Sequence, residues 1–225
     1  AKILINAGAD INIKDDDNQL SPLEFAFTTE NENMMKLLVE AGADINKPNE
    51  KNTTLIHTAV ANKNIKKIKV LASLGADLNI QNENGATPLN YVNSEGNENI
   101  FELLIKCGAD VNYQDDKGSS YLHSAVIFSN VYQMEKIIKI LIEAGADLNL
   151  QDEAGYTPLH WAIFKNTGKI SKLLIKAGAQ VNLKNNNGQT PLFFAVSHGD
   201  TETVEMLIKA GAEIDIEDDS GRTPL

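Results

Sequence analysis

The sequence predicts an all-α repeat protein of the solenoid class, and three observations carry that prediction. The pair Gly-Ala recurs at Gly8, Gly42, Gly75, Gly108, Gly145, Gly178 and Gly211, at spacings of 34, 33, 33, 37, 33 and 33 residues. A hydroxyl residue recurs in phase with it at Ser21, Thr54, Thr87, Ser120, Thr157, Thr190 and Thr223, every 33 residues except for the 37 between Ser120 and Thr157. Between the two anchors lie paired apolar residues such as Leu37-Leu38, Leu103-Leu104, Leu173-Leu174 and Leu207-Ile208. A fixed period of this length marks a unit that cannot bury its apolar face alone and gains stability by stacking on its neighbours.

Each unit reads as helix, turn, helix and extended finger. Thr157 suits an N-cap, where its hydroxyl receives an early helical N–H, and Pro158 suits the first helical position, where no N–H is needed. Leu159, Ala162 and Ile163 then fall at i, i+3 and i+4, one buried stripe. The paired apolar residues mark a second helix. Gly178 and its equivalents follow that helix, where the chain needs a left-handed residue. Residues 145–155, GADLNLQDEAG, alternate apolar and polar before a turn at Asp152 and Gly155, an extended finger too short to make a sheet of its own.

The combination of TPLH at 157–160, GADLN at 145–149, paired leucines and a 33-residue period resembles the ankyrin repeat, and the resemblance spans the whole chain. It implies an L-shaped unit of two antiparallel helices with a hairpin finger projecting sideways, stacked into a curved solenoid. On this reading residues 1–225 form a single ankyrin-repeat domain: a partial repeat at 1–15, full repeats near 16–48, 49–81, 82–114, 115–151, 152–184 and 185–217, and the start of another at 218–225.

Departures from the pattern locate expected irregularities. Thr54-Leu55 and Ser120-Tyr121 lack the proline, and Glu24, Asn90 and Phe193 stand where histidine is usual. Val92 replaces the small residue found at Ala26, Ala59, Ala125, Ala162 and Ala195, so its two extra methyls are expected to push neighbouring helices apart. The four added residues of the fifth unit fall between Ala125 and Ile137, predicting a longer helix or a longer inter-helix loop. The extra residue of the first interval lies around residues 15–18. Residue 1 falls inside a second helix and residues 223–225 open another repeat, which predicts a fragment of a longer ankyrin-repeat protein.

Composition narrows the function. Twenty basic against thirty-one acidic residues give a net charge of −11, which argues against nucleic-acid binding because no basic stripe is available to displace phosphate counterions. Cys107 is the sole cysteine, so no intrachain disulfide forms. No apolar run approaches the roughly 18–20 residues of a membrane span, and residue 1 does not begin a signal peptide. These features predict a soluble, monomeric, intracellular protein, most simply cytoplasmic, with secretion into a host cell as an effector left open.

Chemical sites are not forthcoming. His57, His123 and His160 occupy one place in three repeats, but equivalent positions on stacked helices lie about 8–10 Å apart, whereas zinc ligands converge at about 2 Å from one ion. The resemblance implies structural histidines bonded to backbone of the adjoining turn. No GxSxG, HExxH, phosphate loop or CxxC pair is present, and the acidic turns at 15–18 and 115–118 lack the glycine and glutamate of a calcium loop. No catalytic residue, metal site or cofactor is predicted. Asn46, Asn79, Asn112, Asn149 and Asn182 recur in the fingers and are expected to bond local backbone; the resemblance adds that this asparagine is a candidate for hydroxylation by a protein oxygenase.

What remains is a surface. With Leu159, Ala162 and Ile163 buried, Trp161, Phe164 and Lys165 lie on another face of their helix, which the resemblance makes the concave side shared with the finger tips. Phe128, Phe194 and His198 hold related places in neighbouring repeats, and Tyr156 joins them from the finger. Large aromatics in a groove anchor protein interfaces, although Trp161 and Phe194 are equally able to pack against the neighbouring helix. A row of acidic finger tips beside that groove favours a basic peptide with an apolar anchor. The sequence therefore predicts a non-enzymatic module that binds a protein or peptide partner through its concave helices and fingers. Two other readings stay open: a regulatory or targeting segment of a multidomain enzyme or effector, and a spacer solenoid.

Overall fold

A computed structural model describes residues 1–16, 19–92, 97–128 and 134–225, with the side chain of Met134 excepted. The chain divides into two compact units, Ala1–Asp110 and Val111–Leu225. Among the described residues the first unit contains α1 (Lys2–Asn6), α2 (Pro22–Thr28), α3 (Glu32–Glu40), α4 (Leu55–Ala61), α5 (Ile65–Ser73), a single 3-10 turn at Pro88–Tyr91 and α6 (Glu98–Lys106). The second contains α7 (Tyr121–Ile127), α8 (Met134–Glu143), α9 (Pro158–Phe164), α10 (Gly168–Lys176), α11 (Pro191–Ser197) and α12 (Thr201–Lys209). All regular structure described is helical, with one isolated antiparallel bridge, Gln114 to Ser120. This is an all-α repeat solenoid of helix pairs.

The helices begin where capping chemistry dictates. Ser21, Ser120 and Thr157 each accept the N–H of the third helical residue, removing one of the orphan donors at a helix start. Second helices use Asn31, Asn64 and Asp200 in the same way. The second helices end at glycines in the left-handed region, for example Gly145 at φ +82° and Gly178 at φ +95°. In the second unit α9 packs against α7, α10 and α11, burying Leu159, Ala162 and Ile163 completely or nearly so. Leu122, Ile138, Leu141 and Leu174 fill the same core.

The repeat from 82 to 114 departs from the predicted helix pair. Among the described residues its first helix is a 3-10 turn, and Val92 after it leaves the helical region at ψ 66° while staying buried. So the substitution of valine for the usual alanine coincides with a shortened helix, where helices pushed apart were expected. A β-branched residue loses side-chain freedom against the preceding turn and weakens the helix there. The four-residue insertion of the fifth repeat falls outside the described residues. Its flank on the N-terminal side is regular: α7 ends at Ile127, with the same seven-residue length as α9. The turn at 15–18 is likewise described only in part.

Neighbouring fingers are joined backbone to backbone. In the second unit Glu153 N–H donates to the Lys117 carbonyl at 2.8 Å, Asn186 N–H to Ala154 at 3.0 Å and Asp219 N–H to Asn187 at 3.0 Å. Gly155 sits at this seam with φ +77°, and a Cβ there would stand 2.7 Å from the Asn186 nitrogen. Glycine is needed at this position for both reasons.

Candidate functional site

Three histidines organise the junctions between repeats. His160 Nδ1 receives the backbone N–H of Thr157 at 3.1 Å, and its Nε2 lies 3.2 Å from the Gln189 carbonyl one repeat on. A carbonyl only accepts, so Nε2 carries the proton and Nδ1 is the acceptor. His57 and His123 repeat the arrangement with Ala86 and Tyr156 as their carbonyl partners. All three rings are fully buried. Burial disfavours the charged form and lowers each pKa, that of His160 to about 4, against the smaller opposing pull of the backbone carbonyl. Neither ring nitrogen is free for a metal.

The finger asparagines do something other than expected. Asn46 Oδ1 accepts from Asp77 N–H, Asn79 from Asp110, Asn112 from Asp147, Asn149 from Gln180 and Asn182 from Glu213, all at 2.7–2.9 Å. Each bond crosses to the following repeat; it is not the local contact a turn asparagine makes. The local partner runs the other way: the N–H of Asn149 donates to Asp147, and Asn46 and Asn79 follow suit. A single-repeat reading misses this because the acceptor's partner lies 31 or 35 residues away.

The aromatic residues gather as one surface cluster. The Tyr156 ring centroid lies 5.2 Å from Trp161 and 5.6 Å from Phe194. Phe164 stands edge-on to Trp161 at 5.8 Å and to Phe194 at 6.1 Å, and His198 adds a further edge at 6.3 Å. These are the offset and edge-to-face geometries that aromatic pairs favour. Five of the seven predicted surface residues thus meet. Tyr156, Trp161 and Phe194 are half-buried, covered by one another, while Phe164 remains 46% exposed and His198 exposed. Lys165 is exposed at the end of α9. Phe128, 60% exposed at the end of α7, makes no ring contact with the cluster among the described residues.

Asp152 fastens this cluster to the finger. One carboxylate oxygen takes the backbone N–H groups of Ala154 and Tyr156 at 3.0 and 2.9 Å, and the other takes the indole N–H of Trp161 at 2.8 Å. The sequence shows Asp152 only as a turn residue. The signal that identifies its second role is the spacing of nine residues, because Asn82 makes the same reach to the Tyr91 hydroxyl at 2.8 Å.

Among the described residues no three of His, Cys, Asp and Glu converge as a metal site, and no helix is long and apolar enough to cross a membrane. Stacked helix pairs joined by capped histidines and asparagine cross-bonds, with an aromatic patch on the finger side, define a helical repeat scaffold of the protein-interaction class. The model for the ankyrin repeats (3 copies) matches at residues 1–82, 56–152 and 130–218, and the chain belongs to the ankyrin-repeat family. Ankyrin repeats are in general protein-binding modules and are typically not catalytic. No match emerges among curated proteins.

Proposed function

We propose that the chain is a non-enzymatic ankyrin-repeat domain that binds a protein or peptide through the helix face of α7, α9 and α11 together with the adjoining finger tips. The aromatic cluster carries this reading. Phe164 stays half-exposed on top of rings that are held in place by their neighbours and by Asp152, so it offers apolar area with little ordering cost on binding. Phe128 and Lys165 extend the face. The partner is a basic segment with an apolar anchor, because acidic side chains occupy the finger turns at Asp115, Asp116, Asp152 and Glu153, with Asp152 bonded to Trp161. The lone cysteine fits an intracellular, cytoplasmic setting.

The test uses the exposed rings, since removing half-buried Trp161 would also loosen the repeat. Phe164→Ala with Phe128→Ala in the full chain should weaken a recovered partner by at least tenfold, as expected for an interface anchor, with helical content unchanged. A partner that binds this double variant as tightly as the parent would show that the face is not the binding surface. The finger asparagines are also proposed hydroxylation sites, for which a 16 Da gain on peptides containing Asn149 or Asn182 is the readout.

A further inference from the structure

Every finger of the second unit is built around one carboxylate or amide, and comparing them singles out Asp115. The inner oxygen is used identically throughout: Asp115 Oδ1 takes the N–H groups of Lys117 and Ser119, Asp152 those of Ala154 and Tyr156, Asn185 those of Asn187 and Gln189, and Asp218 those of Ser220 and Arg222. The outer atom differs. At Asp152 it accepts the indole N–H of Trp161. At Asn185 it is an amide that donates to Gln189. At Asp218 it accepts a guanidinium, with Arg222 Nε at 3.0 Å and Nη2 at 2.7 Å. At Asp115 the outer oxygen has no donor among the described residues.

The helix above explains the difference. Nine residues after Asp115 the chain carries Ser124, where the next repeat carries Trp161, and among the described residues the short serine side chain makes no bond to Asp115 like the one the indole makes to Asp152. We infer that Asp115 is a subsite for an arginine side chain of the bound partner, the guanidinium meeting Oδ2 as Arg222 meets Asp218 and the aliphatic stem lying over Ser124. This rests on the proposed binding face and adds the chemistry of one contact. Charge complementarity supports it: the carboxylate is held by two backbone donors, and Asp116 follows it in the same turn. Arginine suits the place better than lysine because a planar fork with several donors matches a carboxylate edge, whereas an ammonium is a point charge.

The experiment is a display selection of random dodecapeptides on the whole chain, followed by fluorescence anisotropy of the best binder. Selected peptides should carry arginine near an apolar residue. Asp115→Asn keeps the two turn bonds and the fold, checked by melting, and should weaken the peptide about tenfold, the scale of one charge-assisted hydrogen bond. Replacing the peptide arginine by citrulline should cost the same on the parent chain and nothing more on Asp115→Asn. If the peptide tolerates citrulline, or if Asp115→Asn binds it unchanged while Phe164→Ala does not, the arginine subsite is wrong and the aromatic face stands. If neither variant matters, both fall. A selection without arginine, or without binders, also overturns the subsite.

Discussion

The repeats at 82–114 and 152–184 start from the same plan and end differently. Both open on a threonine whose backbone N–H is taken by the third helical residue, Asn90 Oδ1 at 2.9 Å in one and His160 Nδ1 at 3.1 Å in the other. Both fasten the finger to the helix across nine residues. Yet α9 runs for seven residues while its counterpart is a four-residue 3-10 turn. Among their differences, two bear on the helix start and its close packing. Asparagine copies the near half of the histidine's work but is too short to carry a second polar nitrogen to the following repeat, and valine stands for Ala162. A cap therefore starts a helix, but the helix is sustained by what lies above it and by the small residue that lets neighbours approach.

The largest way to break the comparison is to move His160 toward Asn90. Above pH 6.5 the buried neutral imidazole is in its preferred form in both folded and unfolded chains. As the pH falls from 6.5 toward 4 the unfolded chain takes up a proton that the folded ring, at about 4, refuses, so stability is present above 6.5 and drains away through that window. The full shift corresponds to about 3 kcal/mol. His57 and His123 shift in the same direction for the same reason, which deepens the loss. Urea unfolding of the parent chain at pH 7.5 and pH 4.5 should show it, and His160→Asn should lower stability at pH 7.5 while flattening the pH slope. An unchanged slope would contradict the assignment of His160 as a neutral junction residue.

A smaller effect is expected from Ala162→Val, which imports the other difference. Ala162 has no exposed surface, and two methyls added to a close-packed site cost about 1–3 kcal/mol. The reverse change, Val92→Ala, should lengthen the 3-10 turn into helix and raise the mean residue ellipticity at 222 nm. If Val92→Ala leaves the helical signal unchanged, the shortened helix has another cause.

Much of this plan is legible in the sequence. Caps at Thr157 and Ser120, left-handed glycines at 145 and 178, and the buried stripe of α9 follow from interactions within a few residues, where spacing in sequence is spacing in space. The features that are not legible all span a fold-dependent distance. Asn149 reaches Gln180, thirty-one residues on, and that bond exists only once two fingers are stacked. The 3-10 turn that stands at Pro88–Tyr91 in place of a full helix is not marked by the repeat period, which keeps its phase through this unit. At the aromatic surface the residues are identifiable as those the repeat pattern does not explain, but their mutual contacts and the open edge at Phe164 depend on the relative placement of α9 and α11.

The smallest energetic effect concerns the nine-residue fastening, and it is the most exact comparison of the two repeats. Asn82 offers an amide N–H to a tyrosine oxygen, while Asp152 offers a carboxylate oxygen to an indole N–H, so each pair matches a donor with an acceptor. Indole nitrogen can only donate. In Asp152→Asn the inner oxygen can still serve Ala154 and Tyr156, but the outer atom becomes an NH₂ group facing another N–H. Turning the amide over would restore the indole bond only by giving up both turn bonds. One neutral or charge-assisted bond is at stake on a half-exposed residue, about 1 kcal/mol, a shift near the edge of what unfolding curves resolve. Trp161 is the only tryptophan in the chain, so its emission reads the change without interference from any other indole. The freed indole should emit further to the red and be quenched more readily by acrylamide, with helical content unchanged. An emission spectrum and quenching constant identical to the parent would mean that the ring is held by Tyr156 and Phe164 alone, and that Asp152 serves only its own turn.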